Sequence, residues 1–152
     1  MIIGHRGAAS LAPENTLASF NAACEAGCAF LELDGHQLKI DDDKNELIVI
    51  HDDTLERTTN ATGEVSKLRE SDLINIQTED GQPIPYLKEV ISLIKHRINV
   101  EKRTIGLNIE LKGDRTGKLT AKYIQRESSI PILVSSFKHR ELFEFREIDK
   151  HT

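Results

Sequence analysis

A chain of 152 residues is long enough for one domain with a single core, and a 30% charged, 38% hydrophobic makeup with mean hydropathy of -0.38 excludes a disordered or membrane-spanning chain. The net charge of -5 excludes the broad basic face that nucleic-acid phosphates require, so any phosphate contact has to be local. No apolar run is long enough to cross a bilayer, and no signal-type pattern precedes the first strand residues, so the expected location is the cytoplasm.

The opening MIIGHRG reads as a short strand that delivers His5 and Arg6 at its end. Pro13 and Glu14 read as a helix start, with Leu17, Phe20 and Cys24 at helical spacing until Gly27 supplies a stop. Cys24 and Cys28, in CEAGC, read as small buried hydrophobes. AFLELD alternates, so that Phe30, Glu32 and Asp34 share one strand face and Ala29, Leu31 and Leu33 the other. The acidic stretch DDDKNE predicts a hairpin turn. Asp41, Asp43 and Asn45 copy the start of an EF-hand loop, but Glu46 stands where that loop needs glycine. LIVIH is a β-branched strand run ending at His51.

Residues 52–85 carry no sustained period and predict loops and short turns. PYLKEVISLIKHR then predicts a helix with Leu87, Val90, Ile91 and Ile94 in one stripe. TIGLNIELK is a strand in which Leu107, Ile109 and Leu111 alternate with Asn108, Glu110 and Lys112. KLTAKYIQRE predicts a helix, PILVSSF a strand and HRELFEFREI a closing helix.

Strands alternating with helices imply an α/β fold with a parallel sheet, open or curled into a barrel. Polar side chains facing inward near strand ends suit the C-terminal mouth of a TIM-type barrel, where groups from several strands converge. Glu32, Asp34 and Glu110 offer three hard oxygen donors, suited to Mg²⁺ or Ca²⁺, or they pair with Lys112 and Arg6. His5 and His51 are candidates to divide acid and base work. Arg6 and Lys112 supply positive charge for a phosphate, and Asn15 either joins them at the mouth or caps the first helix. His36 shares parity with Glu32 and Asp34, as an extra ligand or, turned away by a bulge at Gly35, as a solvated side chain.

In order, HRG, PENT, ELD, HDDTLERTT with Gly63, IPYLKEV, LNIELK and ILVSSF resemble the motifs of the glycerophosphodiester phosphodiesterase family, from Ile3 to about Phe137. The resemblance implies a TIM barrel with a small insertion after the second strand, here 52–85 within a single domain spanning 1–152. It implies hydrolysis of a small glycerophosphodiester substrate to an alcohol and glycerol 3-phosphate with a divalent cation. His5 and His51 would be the acid/base pair, Glu32, Asp34 and Glu110 the metal ligands, and Arg6, Lys112 and Asn15 the phosphate contacts.

A full barrel needs eight strands and typically ~250 residues. The pattern here stops after what corresponds to the family's fourth strand and its helix, so a partial barrel of about half is expected. Its apolar edges call for closure by a second copy or by a missing C-terminal half. The alternative is an impaired relative that binds a phosphodiester or a partner chain without turnover.

Overall fold

The computed structural model describes residues 1–40, 44–127 and 129–152. Most of the expected hairpin turn, with Asp41 and Asp43, therefore lies outside the described residues. The elements run β1 (Ile3–Gly4), α1 (Leu17–Glu25), β2 (Phe30–Lys39), β3 (Asn45–Val49), a 3₁₀ turn (Val65–Lys67) and α2 (Glu70–Leu73). They continue with α3 (Leu87–Glu101), β4 (Gly106–Leu111), α4 (Thr116–Ile124), β5 (Ile132–Ser135) and α5 (His139–Ile148).

Four strands lie parallel in the order β1-β2-β4-β5, the repeated βα arrangement of a TIM barrel. Among the described residues the sheet stays open at β1 and β5. β2 is longer than its neighbours. Phe30 to Gly35 pair with β4, and Gly35 to Lys39 pair antiparallel with β3. Gly35 pairs on both sides, with Val49 and Leu111, so no bulge diverts the strand there.

Strand alternation divides the sheet into two faces. Leu31, Leu33, Leu107, Ile109 and Leu111 are buried against α1, α3, α4 and α5, where Phe20, Ile94 and Phe145 complete the main core. The stripe Leu87, Val90, Ile91 and Ile94 of α3 packs inward as its spacing predicts. Each such side chain contributes roughly 1.5–3 kcal/mol by leaving water. The β2–β3 hairpin buries Leu38 and Ile48 in a second cluster with Ile50, Leu55, Val65 and Leu68. Segment 52–85 thus folds over that hairpin as a layer of turns with its own apolar floor.

Two local expectations are corrected. The first helix begins at Leu17 and not at Pro13, because Asn15 has a left-handed backbone (φ 59°) that no helix continues through. Thr16 is the N-cap, its Oγ1 accepting from the Ser19 N–H at 3.1 Å. His36, expected to be solvated, is 4% exposed, with Nε2 3.3 Å from the His51 carbonyl oxygen. Burial lowers its pKa. No described helix is long and apolar enough to cross a membrane.

Candidate active site

The face of the sheet away from the main core carries the charged residues, and register brings them together. Asp34 on β2 stands opposite Glu110 on β4, with Glu32 two residues earlier on the same face. One oxygen from each of Glu32, Asp34 and Glu110 lies within 4.8 Å of the others. Burial first, then the Asp34 charge, pushes the Glu32 carboxyl up to about 7. Glu32 Oε1 and Asp34 Oδ1 are buried without a hydrogen-bond donor. Three crowded carboxylates, two of them with an orphaned oxygen, fit a divalent cation.

β1 ends directly beside this cluster. Arg6 takes a left-handed backbone (φ 55°), and its N–H donates to Glu32 Oε2 at 2.8 Å. Its guanidinium donates to Glu14 Oε1 at 3.0 Å and places Nε 3.4 Å from Asp34 Oδ2. Gly7 follows because only glycine fits there. Its φ is 82°, and a Cβ would lie 1.9 Å from Ser19 Oγ, which donates to the Arg6 carbonyl. His5 projects outward with a side chain 71% exposed, Nε2 standing 3.9 Å from Glu32 Oε2.

Asn15, expected on the phosphate or as a helix cap, does not cap α1, a role Thr16 takes, and its side chain is turned to Asp34. Its Nδ2 donates to Asp34 Oδ2 at 2.9 Å and its Oδ1 accepts from the Asp34 N–H at 3.4 Å. Lys112 reaches Glu110 Oε1 at 3.0 Å and Asp34 Oδ1 at 3.7 Å. The same Nζ lies 3.2 Å from His51 Nε2. Beyond it, His51, Asp52, Glu110, Lys112, Phe137 and Lys138 line an open depression of about 360 Å³.

Three charged residues without an assigned role complete the site. His51 Nδ1 lies 2.5 Å from Asp52 Oδ1, and Arg57 holds both oxygens of Asp52 through Nε at 2.6 Å and NH2 at 2.8 Å. Arg57 also reaches Glu14, at 2.7 and 3.0 Å. The Arg57 guanidinium, with His51, keeps Asp52 well below the usual carboxylate range, and Arg57 also lowers Glu14. Glu14, Asp52 and Arg57 stand in PENT and HDDTLERTT, so their presence was visible in the sequence. Their pairing across 43 residues was not.

The fold and the site together define a TIM-barrel-type α/β protein with an acidic, cation-flanked site at the carboxyl ends of its parallel strands. The model of the glycerophosphoryl diester phosphodiesterase family matches residues 5–152. The chain belongs to that family. YhdW of Bacillus subtilis is 33% identical over 97% of this chain and 61% of its own length. The glycerophosphodiester phosphodiesterase of Caldanaerobacter subterraneus subsp. tengcongensis is 30% identical over 99% of this chain and 63% of its own length. A phosphodiesterase of Oleispira antarctica, solved with the product sn-glycerol 3-phosphate, superposes with a TM-score of 0.83 at 27% identity, over 99% of this chain and 63% of that one. The chain thus spans about 60% of the length of the curated relatives it matches.

Proposed function

We propose that this chain carries the catalytic half of a glycerophosphodiester phosphodiesterase, hydrolysing a small glycerophosphodiester to an alcohol and glycerol 3-phosphate with the help of Mg²⁺ or Ca²⁺. The observation that carries the reading is the meeting of Glu32, Asp34 and Glu110 within 4.8 Å beside Lys112 and His51. The product bound in the Oleispira antarctica relative supports the substrate class.

In this reading Glu32, Asp34 and Glu110 hold the cation, and Asn15 orients Asp34 from behind. When bound, the cation would neutralise charge building on the non-bridging phosphate oxygens. Lys112 and the Arg6 guanidinium add fixed positive charge on the same side. His51 Nε2 faces Lys112 Nζ at 3.2 Å, and both side chains line the depression that a phosphodiester would enter. His5, exposed at the opposite rim of the carboxylate cluster, would complete the acid/base pair. One imidazole would take the proton from water or from the glycerol hydroxyl next to the phosphate, and the other would protonate the leaving alkoxide. Segment 52–85 would be the family's insertion, contributing Asp52 and Arg57 to the rim.

His5→Ala and His51→Ala should each abolish hydrolysis of glycerophosphocholine in assays supplied with Mg²⁺ or Ca²⁺. Near-normal turnover by either variant would sink the assignment. One observation favours a second reading, binding without turnover: the sheet is open, with Ile3 exposed on β1 and Leu133 on β5. Water then reaches the site from the open side, and reacting groups lose positioning. Retention of glycerophosphocholine by the wild-type chain without any product would select it.

A further inference from the structure

We infer that Arg57 is a positioning residue that locks His51 in one tautomer and ties the two histidine-bearing loops into one unit. The contacts form a closed ring. Arg6 donates to Glu14, Arg57 donates to both Glu14 and Asp52, and Asp52 meets His51 Nδ1. His51 Nε2 faces Lys112 Nζ, Lys112 reaches Asp34, and Asp34 returns to Arg6 Nε at 3.4 Å.

Charge decides the tautomer. Lys112 is a donor with nothing to accept, so His51 Nε2 must present its lone pair. Asp52, held ionised by the two-pronged grip of Arg57, can only accept, so His51 Nδ1 must carry the proton. The only described cation on Asp52 besides His51 is Arg57. Without it, the Asp52 carboxylate is free to turn to water and leave Nδ1.

The Arg57 side chain is 48% exposed, and exposed ion pairs hold little fold stability. A purely structural role would therefore leave little to see. What Arg57 uniquely does is span two loops, from Glu14 ahead of α1 to Asp52 after β3. A lysine ammonium is a point charge and cannot grip both carboxylates with a fork.

The test is long-range ¹⁵N–¹H correlation of the imidazole nitrogens in uniformly ¹⁵N-labelled protein, above the pH at which histidine titrates. The wild type should show His51 as the Nδ1–H form. Arg57→Ala should move its two nitrogen shifts toward the averaged values of exchanging tautomers, with Arg57→Lys in between and thermal midpoints nearly unchanged. In glycerophosphodiester hydrolysis, Arg57→Ala should lower kcat roughly 10-fold to 100-fold while KM changes little. This kinetic arm rests on the proposed function. If the wild type turns nothing over, that reading fails and the spectrum alone judges Arg57. A wild-type His51 protonated on Nε2, or a variant spectrum identical to the wild type, overturns the inference.

Discussion

Glu32 is the residue whose state depends most on what the site contains. Its folded pKa of about 7 lies above the ordinary 4.5, so the metal-free fold holds this proton more tightly than the unfolded chain does. The sign follows from linkage: that contribution is fully present below about pH 4.5 and is lost as pH rises through 7, by roughly 3 kcal/mol. With a chelator present, the thermal midpoint at about pH 8 should lie below that at about pH 5. Glu32→Gln should flatten the slope, and added Mg²⁺ or Ca²⁺ should raise the wild-type midpoint but not the variant's. Equal pH slopes for wild type and variant would refute this account. Asp52 and Glu14 act in a separate window, because their lowered pKa values contribute stability that is lost only as pH falls below the usual carboxylate range.

At the scale of elements, α4 and α5 are joined by one buried acid. Glu141 on α5 accepts from the N–H groups of Arg115 and Gly117, at 3.1 and 2.8 Å, and from the Thr116 hydroxyl at 3.2 Å. The two backbone N–H groups are donors that a helix start leaves unpaired. Glu141→Ala should therefore cost about 2–4 kcal/mol in urea unfolding, the penalty of burying several unsatisfied donors. Gly117→Ala should act on the same joint from the other side, since its Cβ would sit 2.1 Å from the Glu141 carbonyl oxygen. A loss below about 1 kcal/mol for both would show that the two helices dock by apolar packing alone. The opposite sign is expected at the end of α3. There Lys102 caps the helix with φ of 53°, so Lys102→Gly should stabilise by about 0.5–1 kcal/mol in the same measurement.

At the scale of the whole molecule, the sheet formed by the described residues leaves apolar surface at both ends. Ile2 and Ile3 flank one edge, and Leu133, Phe137 and Phe143 flank the other, Phe137 with 89% of its surface exposed. Patches of this kind on an unpaired edge favour association. Sedimentation at tens of micromolar should show species heavier than 17.1 kDa, and Leu133→Lys should shift them toward monomer. A chain that stays monomeric with both edges intact would contradict this.

Much of this molecule is legible in its amino-acid sequence. The alternation of Leu107, Ile109 and Leu111 with Asn108 and Glu110 determined both the strand and its two faces, because side chains on a strand point to opposite sides by geometry alone. The stripe on α3 and the bounds of α5 followed from helical periodicity in the same way. The carboxylates Glu32, Asp34 and Glu110 were legible as a group, since charged residues on an inward strand face require a partner. Other features belonged to the tertiary structure. Asn15 turned to Asp34, His36 became buried, and β2 ran unbroken through Gly35, because each outcome depends on neighbours distant in sequence. The ring through Glu14, Arg57 and Asp52 is the clearest case: local sequence supplies the charges, but only the folded β1, β2 and β3 loops bring opposite charges 43 residues apart to within 3 Å.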